Sequence, residues 1–136
     1  MIKWGIIGLG NMGQKFASAI KETSNSKIIS VASLDKNKIK NFKDNYNLNK
    51  VTVYNTYDEI IKDKNIDAIY IATLNNTHFE LIKKCSENNK NILCEKPFTL
   101  NYDEGREVYD YITKNRVIFY EGFAYRSHPQ TKVIQA

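Results

Sequence analysis

The sequence predicts an α/β protein with a doubly wound parallel sheet of six strands and helices on both faces. Short apolar strands alternate with segments of helical periodicity, a glycine-rich turn follows the first strand, and polar motifs follow the later ones. Strands joined by right-handed crossover helices lie in a sheet that is covered on both faces. We therefore expect any ligand at the carboxyl ends of the strands.

The first half of the chain is predicted to hold three strands and three helices. The strands are short apolar or β-branched runs, and the helices place apolar residues three or four positions apart. Thr56 and Glu59 form a capping box at the start of the third helix. In chain order, the predicted elements are a strand at 3–9, a helix at 12–22, a strand at 27–33, a helix at 36–46, a strand at 51–54 and a helix from 56.

The second half continues the same alternation. A buried strand is predicted at 67–72, a helix at 76–88, a strand at 91–94, a helix from Asn101 to Lys114, and a last strand at 117–123. The whole pattern amounts to successive β-α-β units.

Composition is that of one globular domain. The chain has 136 residues, of which 42% are hydrophobic and 26% charged. No apolar run is long enough to span a bilayer, and the first residues enter a strand without a secretory pattern. We expect a cytoplasmic location and no membrane partner.

Charge and cysteine content indicate neither a nucleic-acid site nor a metal site. The net charge is +5, but the lysines are scattered along the chain. We therefore expect them to lie on solvated helix faces, and we predict no nucleic-acid partner. Cys85 and Cys94 fit no zinc spacing. We expect two buried thiols, no metal ligands and no catalytic role for Cys94.

Gly8, Gly10 and Gly13 form a G-x-G-x-x-G turn between the first strand and the first helix. Gly8 allows the tight turn, Gly10 lets the backbone approach a pyrophosphate, and Gly13 lets the helix pack on the strand. The helix start at Asn11 and Met12 offers free amides and a partial positive charge. These features predict a dinucleotide site; the alternative is a tight turn without a ligand.

The end of the second strand bears on the choice between NAD and NADP. Ser33 lies twenty residues after Gly13, at the position expected to face the ribose. Because it is small and neutral, it leaves room for the extra phosphate and favours NADP slightly. Asp35 either binds the ribose or caps the next helix. Lys36 and Lys38 either approach a phosphate or are solvated.

Three further motifs follow the fourth, fifth and sixth strands: Ala72–His78, Glu95–Pro97 and Glu121–Gln130. With the glycine loop, they closely resemble the glucose–fructose oxidoreductase, inositol dehydrogenase and rhizopine-catabolism (Gfo/Idh/MocA) family over essentially the whole chain. The resemblance implies a Rossmann domain and hydride exchange between NAD or NADP and a sugar or cyclitol carbon. The last motif is most similar to the dihydrodiol and xylose dehydrogenase branch, which mostly uses NADP.

Two positions depart from the family pattern. Leu74 stands where the family usually has Pro, which we expect to alter the loop only modestly. Leu34 stands where NADP-using members often have Arg, which weakens the preference for NADP.

The resemblance also implies roles for individual residues. Thr73, Asn75 and His78 lie against the cofactor, although a His at the position of His78, taken alone, is more often a helix-start or packing residue. Glu95 and Lys96 match the family's Glu-Lys-Pro, whose Pro is usually cis and whose Lys lies near the nicotinamide and the substrate hydroxyl. An ammonium there can stabilise developing alkoxide charge or relay a proton, so Lys96 is the catalytic candidate. Glu95 either orients Lys96 or forms a solvated ion pair with it.

We expect residues 1–123 to form the NAD(P)-binding domain and residues 124–136 to begin a connection to a C-terminal substrate domain that this chain lacks. In the family, a later Asp and His complete the catalytic group, so we expect binding of a dinucleotide with little or no turnover of a sugar or polyol. Exposed apolar side chains at Phe123, Tyr125, Val133 and Ile134 predict self-association. The alternative is a non-catalytic nucleotide-binding or redox-sensing module.

Overall fold

The computed structural model describes residues 1–46 and 50–134, so the last two residues of the predicted connection lie outside the described residues. It confirms the predicted alternation of six strands with helices. The elements are β1 (Ile2–Ile7), α1 (Asn11–Lys21), β2 (Ser26–Ala32), α2 (Lys36–Asn45), β3 (Thr52–Tyr54), α3 (Tyr57–Lys62), β4 (Ala68–Ile71), a 3₁₀ turn (Asn75–Thr77), α4 (His78–Glu87), β5 (Asn91–Cys94), α5 (Tyr102–Asn115), β6 (Phe119–Glu121), α6 (Ala124–Ser127) and α7 (Pro129–Ile134).

The six strands form one parallel sheet in the order β3-β2-β1-β4-β5-β6. The order reverses between β1 and β4, because the chain crosses the sheet after β3 through α3. This is the doubly wound arrangement that the sequence predicts, and its ligand site is expected at the carboxyl ends of β1 and β4.

The core consists of two apolar layers, one on each face of the sheet. Helices α1 and α2 cover one face, where Val31 and Phe42 are buried. Helices α3, α4 and α5 cover the other face, where Ile60 and Ile82 are buried. All four residues of β4 are buried, as expected for a central strand covered on both sides.

Side chains cap the starts of α2, α3 and α5. At α3, the Glu59 amide donates to Thr56 Oγ1 at 3.3 Å and the Thr56 amide donates to Glu59 Oε2 at 3.1 Å, so the predicted capping box is confirmed. At α5, Asn101 accepts from the Glu104 amide at 2.9 Å. Helix α1 differs: no side chain caps it, and its first turn contains no acidic residue.

The chain after β5 departs from the prediction in detail. The predicted strand at 117–123 is shorter, because the Phe123 amide turns to donate to the Glu121 carbonyl at 2.8 Å. Two short helices that the sequence did not indicate, α6 and α7, then follow. The Lys96–Pro97 peptide bond is cis, as the resemblance implied. Within residues 1–46 and 50–134, no helix combines the length and apolarity needed to cross a membrane.

Candidate functional site

The carboxyl edge of the sheet brings the sequence motifs together around one cleft. The cleft has a volume of about 650 Å³ and lies beside the reversal of strand order between β1 and β4. Its walls include five of the predicted site residues, together with residues 122–125 after β6: Met12, Thr73, Asn75, Glu95 and Lys96. The topology therefore places the catalytic candidate and four other predicted cofactor contacts around one space.

The three glycines of the first loop have different surroundings. Gly8 has a φ of +94°, and a Cβ there would lie 2.5 Å from the Ala72 carbonyl oxygen. A Cβ on Gly13 would lie 2.2 Å from the Gly8 carbonyl oxygen. A Cβ on Gly10 would meet nothing within 4 Å. The fold itself thus requires Gly8 and Gly13, whereas the space at Gly10 is open to a ligand.

That open space adjoins the start of α1. Asn11 begins the helix, and both Asn11 and Met12 are exposed. With no capping side chain and no nearby acid of its own, this helix start keeps its partial positive charge. These residues fit the pyrophosphate of a dinucleotide.

At the end of β2, the structure shows which of the two roles left open by the sequence Asp35 takes in the fold. Asp35 Oδ1 accepts from the Asn37 and Lys38 amides at 2.9 and 3.3 Å, so this carboxylate caps α2. Ser33 is nearly buried, and its Oγ accepts from the Asp35 amide at 3.2 Å. Leu34, the next residue, is exposed.

His78 occupies a different place from the one that the resemblance implied. The ring is 0% exposed and does not line the cleft, so it is not available for direct contact with a cofactor. Its Nδ1 is 2.8 Å from the Pro97 carbonyl oxygen and its Nε2 is 3.3 Å from the Thr73 carbonyl oxygen. The expected contact is corrected to an indirect one, in which His78 ties together the loops after β4 and β5.

A second group holds the loop after β5. Glu121, at the end of β6, accepts from the Phe98 amide through Oε1 at 3.1 Å. With His78 on the Pro97 carbonyl, this fixes the backbone on the carboxyl side of Lys96 from two different elements. The sequence did not indicate this role for Glu121; its only signal was its position at a strand end.

Glu95 and Lys96 do not form the ion pair that the sequence raised as an alternative. In the described part of the chain, the ion pairs are Lys83–Glu80 and Lys84–Asp58. The Tyr70 hydroxyl instead donates to Glu95 Oε1 at 2.5 Å. Burial, followed by this carboxylate, raises the pKa of Tyr70. Lys96 is exposed at the cleft.

Both cysteines are buried, as expected. Burial raises the pKa of the Cys85 thiol to about 12 and also raises the pKa of Cys94. Since the thiolate is the reactive form, neither side chain is placed to react.

Comparison with known proteins agrees with the geometry. Residues 2–123 match the Gfo/Idh/MocA family, described as an oxidoreductase family with an NAD-binding Rossmann fold. The chain is 34% identical over 136 residues to trans-1,2-dihydrobenzene-1,2-diol dehydrogenase of Xenopus tropicalis, covering 98% of this chain and 41% of the relative. It is 30% identical over 129 residues to D-xylose 1-dehydrogenase (NADP(+)) 2 of Haloferax volcanii, covering 95% of this chain and 39% of the relative.

A solved structure shares the fold closely. The crystal structure of a putative myo-inositol dehydrogenase from Sinorhizobium meliloti matches with a TM-score of 0.91 and 25% identity, covering 99% of this chain and 40% of that one. The chain thus spans about two-fifths of the length of the relatives it matches. From the family match and the shared Rossmann architecture, this chain belongs to the Gfo/Idh/MocA family of oxidoreductases and contains its NAD-binding domain.

Proposed function

We propose that this domain binds NADP or NAD along the carboxyl edge of the sheet, and that the whole protein transfers hydride between the nicotinamide and a sugar, cyclitol or diol carbon. The observation that carries the proposal is the open space at Gly10, beside the uncapped start of α1 and continuous with the edge that presents Lys96. Relatives named as diol and xylose dehydrogenases support this substrate class.

We assign the contacts by position. Gly8, Gly10, Asn11, Met12 and Gly13 hold the pyrophosphate, because they form the turn and the helix start that adjoin the open space at Gly10. Ser33 is assigned to the adenosine ribose by its position at the end of β2, with its hydroxyl turned inward to the Asp35 amide. Further along the edge, the nicotinamide half is contacted by three residues that line the cleft with Lys96: Thr73, Asn75 and Glu95.

Lys96 is the proposed catalytic residue. When bound, the nicotinamide supplies or accepts the hydride. Removing hydride from a carbinol carbon also requires the hydroxyl proton to leave, and an exposed ammonium at the cleft can hydrogen-bond that hydroxyl and stabilise developing negative charge. His78 and Glu121 hold the backbone next to it, which keeps the Lys96 loop in one position.

We infer a modest preference for NADP. An acidic side chain that binds both ribose hydroxyls disfavours the extra phosphate of NADP. Here the nearest acid, Asp35, is already engaged as the cap of α2. Lys36 and Lys38 are exposed at the start of the same helix, where they can approach a phosphate.

Titration of the 136-residue chain with NADH and NADPH tests the binding proposal. We expect saturable binding of both, with NADPH several-fold tighter, followed by Trp4 emission and nucleotide fluorescence. Gly10→Ala should weaken binding at least tenfold, because its Cβ would occupy the pyrophosphate space. Gly105→Ala, a glycine substitution in α5 away from the cleft, is the matched control. Absence of binding by the unmodified chain would refute the proposal.

We also propose that the 136-residue chain alone does not turn over substrate. Among the described residues that line the cleft, the charged side chains are Lys96 and Glu95, and Tyr70 already engages Glu95. A second charged group that is free for proton transfer is therefore not found among the described residues that line the cleft. Steady-state reduction of NADP or NAD with a panel of sugars, inositols and diols tests this; sustained turnover would contradict it.

Self-association is proposed from the exposed apolar residues near the end of the described chain. Tyr125 is 62% exposed, Val133 75% and Ile134 77%, whereas Phe123 is half-buried. Neighbouring apolar side chains at a surface favour association. Sedimentation velocity should show a concentration-dependent increase in mass, and a monomer at high concentration would contradict the proposal.

The alternative of a non-catalytic nucleotide-binding or redox-sensing module uses the same glycine loop. The two candidates differ at Lys96, which a binding module would not need at the cleft. In the whole protein, Lys96→Met should abolish turnover and retain nucleotide binding if the enzyme proposal holds.

A further inference from the structure

Tyr70 is a buried tyrosine on β4 that the sequence motifs did not indicate. The residue is 3% exposed, and its ring stacks on Phe16 of α1 with a centroid distance of 4.2 Å. Trp4 packs edge-on against the Phe16 ring, with a centroid distance of 5.1 Å. The aromatic packing fixes the Tyr70 ring, so its hydroxyl has a defined position next to the end of β5.

That hydroxyl holds the Glu95 carboxylate. The Tyr70 hydroxyl donates to Glu95 Oε1 at 2.5 Å. Gly122 leaves room for this arrangement, since a Cβ at that position would lie 3.3 Å from the same oxygen. Glu95 also lines a second cavity of about 470 Å³ with Tyr70 and Phe16. The bond to Tyr70 therefore holds Glu95 Oε1 on the face of the sheet that α1 covers, although the residue also lines the cofactor cleft.

The position of Glu95 matters for the residue that follows it. Adjacent side chains in an extended backbone point to opposite faces, but the long side chains of Glu and Lys can still meet at an exposed strand end. Elsewhere in this chain, a lysine near a carboxylate does pair: Lys84 Nζ lies 2.8 Å from Asp58 Oδ1. Within the described residues, Lys96 forms no such pair.

We propose that Tyr70 is a positioning residue, whose hydroxyl anchors the Glu95 carboxylate on the α1 face and so keeps the Lys96 ammonium unpaired at the cofactor cleft. The importance of this arrangement for catalysis rests on the role proposed above for Lys96. An ion pair with Glu95 would occupy the ammonium and hold its proton, and both effects oppose hydrogen bonding to a substrate hydroxyl.

The test is the reactivity of Lys96 in Tyr70→Phe, a change that removes the hydroxyl and keeps the stacked ring. Competitive acetylation with acetic anhydride at fixed pH, followed by peptide mass spectrometry, reports each lysine separately and requires no nucleotide. Only the unprotonated amine reacts, so pairing with the released Glu95 should slow Lys96 by about two- to fivefold. Paired Lys84 serves as the internal reference.

Two further variants isolate the cause. Tyr54→Phe removes a tyrosine–carboxylate hydrogen bond of the same type, between the Tyr54 hydroxyl and Asp63 Oδ2 at 3.1 Å, and should leave Lys96 reactivity unchanged. In Tyr70→Phe combined with Glu95→Gln there is no carboxylate to pair, so Lys96 reactivity should return to the level of the unmodified chain.

The outcomes separate this inference from the proposed function. An unchanged Lys96 rate in Tyr70→Phe, an equal decrease in Tyr54→Phe, or no recovery in the double variant would each overturn the role of Tyr70. Absence of NADH and NADPH binding would overturn the proposed function, while the acetylation rates would still decide whether Tyr70 controls Glu95.

Discussion

Single substitutions in the glycine loop should separate effects on stability from effects on nucleotide binding. Gly8→Ala should lower the free energy of unfolding by about 2–4 kcal/mol, because φ is +94° and the new Cβ would overlap the Ala72 carbonyl. Gly10→Ala should change it by no more than about 0.5 kcal/mol, since its Cβ enters open space. Urea unfolding measured by circular dichroism compares the two variants directly.

Two results would contradict the predicted difference between Gly8→Ala and Gly10→Ala. If Gly8→Ala unfolded at the same urea concentration as Gly10→Ala, the close approach of the β1 and β4 loops would not be a structural requirement. If Gly10→Ala were the less stable variant, the open space would contribute to the fold itself.

For single residues, the types of side chain at the site could be predicted from the sequence, but many of their hydrogen-bond partners could not. Strand ends with polar residues were visible in the sequence, and Lys96 follows one of them and lines the cleft. His78, however, bonds a carbonyl 19 positions away, and the Tyr70–Glu95 pair spans 25 positions. Such contacts depend on how separate β-α units pack, and neither periodicity nor motif spacing reports that packing.

Among the elements, helices with strong local signals were predicted best. The capping box at Thr56 and the cap at Asn101 satisfy backbone amides within their own segments, so the sequence alone indicates both starts. Helices α6 and α7 lack a comparable apolar period. The α6 turn is closed by the Arg126 amide donating to the Phe123 carbonyl at 3.0 Å, a local bond without a distinctive sequence signal.

Helix α5 contains an interior glycine that its packing does not require. A Cβ on Gly105 would lie 3.5 Å from Thr99 Oγ1 and 3.6 Å from Phe98 Cζ, both ordinary contact distances. Gly105→Ala should therefore stabilise the chain by about 0.5–1 kcal/mol through helix propensity and lower entropy of the unfolded state.

Chemical denaturation measures this gain in stability, and Gly8→Ala, which should be destabilising, serves as the comparison. A loss of stability in Gly105→Ala would mean that the neighbouring loop at Phe98 and Thr99 cannot accept the methyl group. The nucleotide titration should remain unchanged in this variant, because α5 does not line the cleft.

For the whole molecule, the alternation of strands and helices was sufficient to predict the topology. Right-handed crossovers leave few ways to arrange six parallel strands, and the observed order is the doubly wound one. The same folding encloses several ionisable side chains that the sequence presents only as ordinary residues. Their burial links the stability of the chain to pH.

The direction of that linkage follows from the buried thiols. Burial raises the pKa of Cys85 from 9.0 to about 12 and raises that of Cys94 as well, so the folded chain keeps both protons after the unfolded chain has lost them. Their stabilising contribution is complete below pH 9 and decreases as the pH rises above it, at about 1.4 kcal/mol per pH unit for each thiol. The raised pKa of Tyr70 adds to this loss above pH 10.

The titration of Lys90 has the opposite effect on the pH dependence of stability. Its ammonium donates to the Asp63 and Ile66 carbonyls at 2.6 and 2.9 Å, and burial lowers its pKa from 10.5. The unfolded chain then holds this proton longer, which makes folding more favourable as the pH approaches 10.5. One such group only partly offsets two thiols, so the net effect above pH 9 is a loss of stability.

We therefore expect the free energy of unfolding to fall by about 1–3 kcal/mol between pH 9 and pH 10.5. Urea unfolding in a reducing buffer, followed by circular dichroism at half-unit pH intervals, measures the slope. Cys85→Ala should reduce the fall by about 1.5 kcal/mol, because it removes one of the two thiols that titrate only on unfolding. A slope unchanged by Cys85→Ala would show that Cys85 is not a source of the pH dependence, and stability that is constant from pH 8 to pH 10.5 would contradict the linkage as a whole.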